Sequence, residues 1–317
     1  MVNRLILLLF STRPVVLIPV WGFALFGFRI ASGHNSLIST IEVGSFGMIL
    51  LFSLSVAAVY LINQIEDFDV DSKNGGYPLL VKSGISLKLV KIFTAFLSVI
   101  SIATPLIWGY WSISVLSLVS IVIGLLYSLK PTYFTGRPLF DFISNGIGYG
   151  GVAFIAGWIV AGGEFGGQAI IASLPYIVLM FAGSISSTLP DIDGDKEVGK
   201  ITTAVKFGSM RAHILATIFI VLGTILGYLN HDLVATVSGL LSLPIYILYV
   251  FKPTQSIMES TYKVGGGLMM FTIGLYYPVF IVVSLTVGTV TLLYFRVVHS
   301  VTYPSLLPVE SNEKNSN

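Results

Sequence analysis

Cysteine is absent from the 317 residues, which excludes disulfides, thiolate metal sites and cysteine nucleophiles and leaves the redox compartment unread. Charge is scarce: 10% of residues are charged against 55% hydrophobic, too little polar surface for a soluble protein of this size. A net charge of only +2 removes nucleic acid as an expected partner. Histidine is limited to His34, His213, His231 and His299, scattered away from any acidic motif, so a zinc centre is disfavoured. What remains is apolar length. The mean hydropathy is +0.90, and Phe and Gly are abundant, at 21 and 32 residues, the composition of an all-α, multi-pass integral membrane protein.

Apolar windows long enough to cross a bilayer fall at about 14–31, 45–63, 91–108, 112–128, 140–162, 168–189, 212–229, 232–251 and 265–296, giving nine expected helices in one polytopic domain. The first follows Arg13 without a small-residue cleavage site and reads as a retained span. The last is too long for one simple span and contains Tyr277-Pro278, so a kink or a division into a helix and an interfacial segment is expected there. Residues 304–317 are expected to form a disordered tail. With the N-terminus cytoplasmic, 14 of the 17 basic residues fall on the cytoplasmic side, and Arg29, Arg296 and Lys314 on the other. Both acidic loops, 64–90 and 190–211, are then cytoplasmic.

Those loops share a pattern. Shifted by 124 residues, Asp67, Asp69, Asp71, Gly75, Val81, Lys82 and Gly84 fall on Asp191, Asp193, Asp195, Gly199, Val205, Lys206 and Gly208. Seven identities over residues 63–84 exceed the roughly one or two that average residue usage gives. The offset spans four helices, so two four-helix repeats at about 14–128 and 140–251, plus a final helix at about 265–296, are expected to face each other with equivalent acidic sites.

Asn63, Asp67 and Asp71 stand at i, i+4 and i+8 and would share one face of a helix, as would Ser187, Asp191 and Asp195. Two carboxylates one turn apart repel by up to about 4 kcal/mol at an effective dielectric near 20, so a cation must compensate them. Oxygen ligands alone select a hard ion, Mg²⁺ or Mn²⁺, and Mg²⁺ held by few carboxylates completes its shell with water and phosphate oxygens. Two Mg²⁺ against four carboxylates roughly cancel. A diphosphate between the acidic faces would then be neutralised by basic residues on the same side, for which Lys82, Lys130, Arg137, Lys200 and Lys206 are candidates together with Lys196. A solvated loop explains one acidic cluster better than two at constant offset. An EF-hand fails, because its sixth and twelfth positions would be Ser72 and Pro78.

The paired motifs resemble those of the UbiA superfamily of intramembrane prenyltransferases, NDxxDxxxD and DxxxD. Asn63, Asp67 and Asp71 match the first, with Gln64 in place of an acid; Asp191, Asp195, Gly199 and Thr202 or Thr203 match the second. YSLKP at 127–131 and GRPLFDFISNGIGYG at 136–150 resemble the family's segment between helices four and five. Where members carry a basic residue after the YS pair, this chain has Tyr133 and Thr135. The resemblance implies a UbiA-like fold of nine helices around a central cavity and two Mg²⁺ held by the Asp motifs. It also implies an allylic prenyl diphosphate donor and a hydrophobic or aromatic acceptor within membrane lipid; no obligate protein partner is inferred. Asp141 and Asn145, one turn apart, are candidates to orient the acceptor or take its proton, with a helix cap as the alternative for Asp141. Tyr149, with Tyr127, Phe154, Trp158 and Phe181, could shield a carbocation. Rival classes are a CDP-alcohol phosphotransferase, whose DxxDG…AR pattern is missing, and a cation transporter, whose acids would lie near mid-membrane.

Overall fold

Proline and glycine punctuate this chain where helices begin, break and cross. The structure, a computed structural model, describes residues 4–33, 36–68, 80 and 84–304, and among them there are helices and no strand. A short amphipathic helix, α1 (Arg4–Ser11), precedes α2 (Pro14–Ala31), α3 (Val43–Glu66), α4 (Leu87–Ile107), α5 (Trp111–Ser128), α6 (Phe140–Val160) and α7 (Gly167–Thr188). Two short helices, α8 (Ile192–Glu197) and α9 (Thr203–Phe207), then lead to α10 (Ser209–Leu229), α11 (Leu233–Phe251), α12 (Gln255–Tyr276) and α13 (Pro278–His299).

Nine of the described helices are long and apolar enough to cross a membrane: α2 to α7, α10, α11 and α13. The chain is therefore an integral multi-pass membrane protein. The ninth is not the expected 265–296. Pro278 has no amide hydrogen to continue a helix and starts a new one, so the sequence divides at Tyr277 into two helices of 22 residues each. They fold back on each other, since a methyl at Gly274 would meet Ile281. The expected interfacial piece is a full helix, and α12, though less apolar, is as long as a span.

This return corrects the placement of Arg296. The end of α13 stands beside the start of the chain: Phe10 stacks on Tyr294 at 3.8 Å between ring centroids, and the Arg13 guanidinium lies 5.8 Å from the Tyr303 ring. Arg296 therefore joins the basic residues at the Arg13 end. The opposite end is closed by Ser39 donating its amide to the Tyr276 carbonyl at 2.7 Å and by Arg29 over the Tyr276 ring at 4.0 Å. There too the Tyr176 hydroxyl donates to Asp232, which caps α11 by accepting from the Ala235 amide. The expected tail lies outside the described residues from 305 onward.

The helices on either side of residue 139 follow one another at the offset of the acidic motifs. Adding 124 to Val43 gives 167, the first residue of α7; adding it to Leu87 and Trp111 gives 211 and 235, two residues into α10 and α11. Helix α2 crosses α6 through Gly27 and Gly157, and α6 carries a π-helical turn at Ile147–Ala153 that widens it toward the centre.

Candidate active site

Each acidic motif sits where a long helix ends, and neither is the unbroken helical face that its spacing suggests. Helix α3 stops at Glu66, with Asp67 as its C-cap, its amide donating to the Asn63 carbonyl at 2.9 Å. One turn of register survives, and Asn63 Nδ2 donates to Asp67 Oδ2 at 3.0 Å. A carboxylate here faces the negative end of the α3 dipole, which sharpens the need for a cation. In the second motif α7 ends at Thr188, ahead of Pro190, and Asp191 caps a separate helix, α8, that carries Asp195.

Helix α8 ends in a way that brings a lysine back to its own acid. Gly199 has φ 73°, the left-handed conformation glycine adopts without strain. Its amide reaches the Lys196 carbonyl at 3.1 Å and the Lys200 amide reaches that of Asp195 at 2.8 Å, the two bonds of a Schellman end. Lys200 Nζ consequently lies 3.3 Å from Asp195 Oδ1. The other Asp195 oxygen, Oδ2, is buried and has no hydrogen-bond partner.

Electrostatics ties the two motifs together. Burial alone would lower the Lys200 ammonium pKa, but the charges of Asp195, Tyr127, Asp67 and Tyr133 outweigh it and raise it. The Tyr133 phenol is raised by burial and then by Asp67, with Asp195 adding to this and Lys200 opposing it. Lys200 and Tyr133 therefore stand within reach of both motifs. Asp191 presents an exposed surface but is ringed by protein; that desolvation, then the Asp195 charge, raises its carboxyl pKa against the pull of Lys200. A site in which a buried carboxylate oxygen is orphaned, an acid resists ionisation and a lysine serves as counter-ion has the donor chemistry of a hard-cation site. Among the described residues no three acids or histidines gather closely enough to hold a metal unaided. Asp71, Asp69 and Lys82 lie outside the described residues.

Behind the acids opens a mostly apolar cavity of about 900 Å³. Asn63 and Ser187, at equivalent positions of the two motifs, line its acidic end, and Asn145 and Tyr149 line the side formed by α6. Asn145 Nδ2 donates to Ser184 Oγ at 2.8 Å. Tyr127 also lines the cavity, whereas Phe154 stacks on Tyr176 and Phe181 lies against Phe142 and Phe219 in the packing. Trp158 donates to the Glu164 carbonyl outside it.

Asp141 is not a cavity residue. Its Oδ2 accepts from the Thr203 amide at 2.6 Å and its Oδ1 from the Thr203 hydroxyl at 2.5 Å and the Phe142 amide at 3.0 Å. Thr203 Oγ1 in turn accepts from the Leu139 amide. The carboxylate thus clamps the start of α6 to the start of α9, holding the loop that carries Lys200. Replacing Asp141 by Ala is expected to lower stability by about 2–3 kcal/mol, the value of hydrogen bonds to a charged group. Melting in detergent checks this, since an acid serving only the acceptor would lose turnover without losing stability.

Of the described basic candidates, Lys200 is the one the fold brings to Asp195, an acid of the shared motif face. Lys130, Arg137 and Lys206 are exposed, and Arg137 donates to the Pro131 carbonyl at 2.6 Å. Lys196 pairs at the surface with Asp193, which accounts for an acid off the shared face, and Glu66 is exposed. Three residues escaped the sequence reading. Tyr133 gave no signal beyond standing where a basic residue was expected. Lys263 lines the cavity and is held by Glu259 at 2.8 Å, an i, i+4 pair that the apolar surroundings hid. Arg13 lines it too, with its Nε buried and without a hydrogen-bond partner, in a left-handed turn at φ 56°.

Comparison with known proteins bears on the family and the fold. Residues 20–261 match the UbiA prenyltransferase family. A digeranylgeranylglyceryl phosphate synthase from Saccharolobus solfataricus is 29% identical over 178 residues, 55% of this chain and 60% of that protein. One from Sulfolobus acidocaldarius is 26% identical over 240 residues, 71% of this chain and 84% of the relative. The fold is that of a UbiA homologue from Archaeoglobus fulgidus solved with GPP and Mg²⁺, at a TM-score of 0.65 and 22% identity, covering 86% of this chain and 99% of the other. With three quarters of its length inside the family match and its helices in the same fold, the chain belongs to the UbiA prenyltransferase family, whose members transfer prenyl groups from prenyl diphosphates.

Proposed function

We propose that the protein moves a prenyl group from an allylic prenyl diphosphate to a lipophilic or aromatic acceptor, using two Mg²⁺ (or Mn²⁺) ions. The observation that carries this reading is that Asn63 and Ser187, at equivalent positions of the two acidic motifs, line the polar end of an apolar cavity while Lys200 pairs with Asp195 of the second motif at 3.3 Å. Polar headgroup and apolar tail have complementary places at the two ends of one space. Asp67 and Asp71 with Asn63 would hold one ion and Asp191 with Asp195 the other. The bound metal supplies Lewis-acid charge for the leaving diphosphate.

The protein's own groups do the rest. Lys200 exchanges its contact with Asp195 for the diphosphate, which departs with the electron pair of the broken carbon–oxygen bond. Tyr127 and Tyr149 present aromatic surface to the allylic cation, and the apolar walls keep water from it. An acceptor placed near Asn145 forms the new bond to the allylic carbon that the diphosphate leaves, and its proton passes to the released diphosphate. The halves at about 14–128 and 140–251 would be the two repeats facing across this cavity. The excess of Lys and Arg at the acidic end supports a cytoplasmic placement of that end and of the N-terminus.

Purified protein in detergent, supplied with Mg²⁺, radiolabelled geranylgeranyl diphosphate and a panel of hydroxylated lipid and aromatic acceptors, is expected to release diphosphate in step with acceptor labelling. Failure to bind any prenyl diphosphate in the presence of Mg²⁺ would overturn the reading.

A further inference from the structure

We propose that α13 is a wall of the prenyl-tail cavity and that Gly288, halfway along it, sets the longest tail the cavity takes. The proposal rests on the prenyl-transfer reading above and deepens it. The family match ends at residue 261, so α13 lies wholly beyond it. Ile281, Ser284, Leu285, Gly288, Thr289 and Leu292 line the cavity, a stripe at helical spacing. Val279, Val282, Val290, Leu293 and Val297 are exposed, the complement of that stripe apart from Leu285, which belongs to both. One helix thickness therefore separates the cavity from lipid along this side.

Gly288 is buried and lines the cavity, yet no atom lies within 4 Å of where its Cβ would stand, so a side chain placed there would extend into the cavity. Because α12 and α13 fold back about Tyr277, Gly288 and Gly266 are each eleven residues from the turn and share one depth. A methyl at Gly266 would also meet nothing, and Gly266 lines the same cavity. By the same count Leu292 is level with Tyr262, toward the end of α13 that meets Phe10 and, through Gln64 donating to the Ser11 carbonyl, the first acidic motif, which marks the headgroup end.

Depth then follows from the helix rise. Gly288 is four residues below that level, about 6 Å, and Phe280 is twelve residues below it, about 18 Å. A five-carbon unit adds four carbon–carbon bonds of about 1.5 Å, close to 5 Å when extended. The cavity accordingly takes three to four units. A large side chain at 288 would stop the tail after the first or second, and one at Ser284, a turn further along, would stop it about one unit later.

The test measures binding of non-hydrolysable thiolo analogues of dimethylallyl, geranyl, farnesyl and geranylgeranyl diphosphate to the full chain in detergent with Mg²⁺. Wild-type affinity is expected to climb through the farnesyl or geranylgeranyl length. Gly288→Phe is expected to keep dimethylallyl affinity within about twofold and to lose at least tenfold for geranylgeranyl. Ser284→Leu is expected to move the break one unit longer, and it decides the matter alone should Gly288→Phe not fold. Unchanged series, or an equal loss at every length, would overturn the inference. A wild-type protein that binds none of the four would instead overturn the prenyl-transfer reading beneath it.

Discussion

Asp195→Asn is expected to reduce prenyl transfer by about a thousandfold, the size of effect seen when one electrostatic group is removed from a developing charge, while changing the stability of the metal-free protein far less, because the lost pairing with Lys200 is offset by relief at Asp191. The asymmetry follows from the geometry. Asp195 has one oxygen committed to Lys200 and the other buried without a partner, so its charge does little for the fold at that second atom. Its neighbour Asp191 has a raised pKa, partly through the Asp195 charge. A carboxyl whose pKa is higher folded than unfolded takes up protons on folding, so stability falls as pH rises from its ordinary value of 3.8 through the raised one. At neutral pH that penalty is fully present. Burial accounts for most of it, so removing the Asp195 charge relieves only the remaining share, and a bound divalent ion should relieve it in the wild type. Melting curves in detergent should therefore show Mg²⁺ stabilising the wild type more at neutral than at acid pH, with the increment largely lost in Asp195→Asn. Full turnover in that variant would remove the acidic motifs from the mechanism.

Spacing made the acids legible, because carboxylates in so apolar a chain need a reason and a repeated offset supplied it. The same spacing misdescribed how they are held. An i, i+4, i+8 series reads as one helix, yet Pro190 interrupts the second motif and the C-cap at Asp67 ends the helix of the first. Among the described residues one turn of register persists in each motif, Asn63 with Asp67 and Asp191 with Asp195. The basic partners were less legible. Charge counting leaves fourteen lysines and arginines at the acidic end, six of them candidates for the diphosphate, and what selects Lys200 is the left-handed Gly199, a backbone property visible in sequence only as Gly-Lys after a short polar helix.

Asp141 illustrates the opposite failure. An acid near a cavity-lining asparagine suggested chemistry, but its partner Thr203 is more than sixty residues away in sequence, and no local pattern reports such a clamp. Hydropathy likewise found the last apolar run and its break at Tyr277-Pro278, and missed that the piece beyond the break is a full helix. Two helices joined at Pro278 return the chain to the end from which it started.

Replacing Gly157 by Leu is expected to cost the protein its fold, by at least about 3 kcal/mol of stability, the upper range for overpacking a tight contact. A methyl at Gly157 would run into the Ala24 carbonyl of α2, and one at Gly27 would run into the Phe154 carbonyl of α6, so the two helices touch backbone to backbone from both sides. Helices in lipid gain little from apolar burial against each other, and association rests on such close approach. A longer side chain cannot rotate away, because the obstacle is main chain rather than the flexible end of a neighbour. Separating α2 from α6 would also pull apart the cavity walls they form, α2 with Val16 and Phe23 and α6 with Asn145 and Tyr149. The control is Gly47→Ala on α3, where a Cβ meets nothing within 4 Å and the alanine gains up to about 1 kcal/mol of helix propensity. Size-exclusion profiles and melting in detergent should show Gly47→Ala folded at or above wild-type stability and Gly157→Leu aggregated or unfolded. Equal behaviour of the two would mean that the α2–α6 crossing does not hold the cavity together.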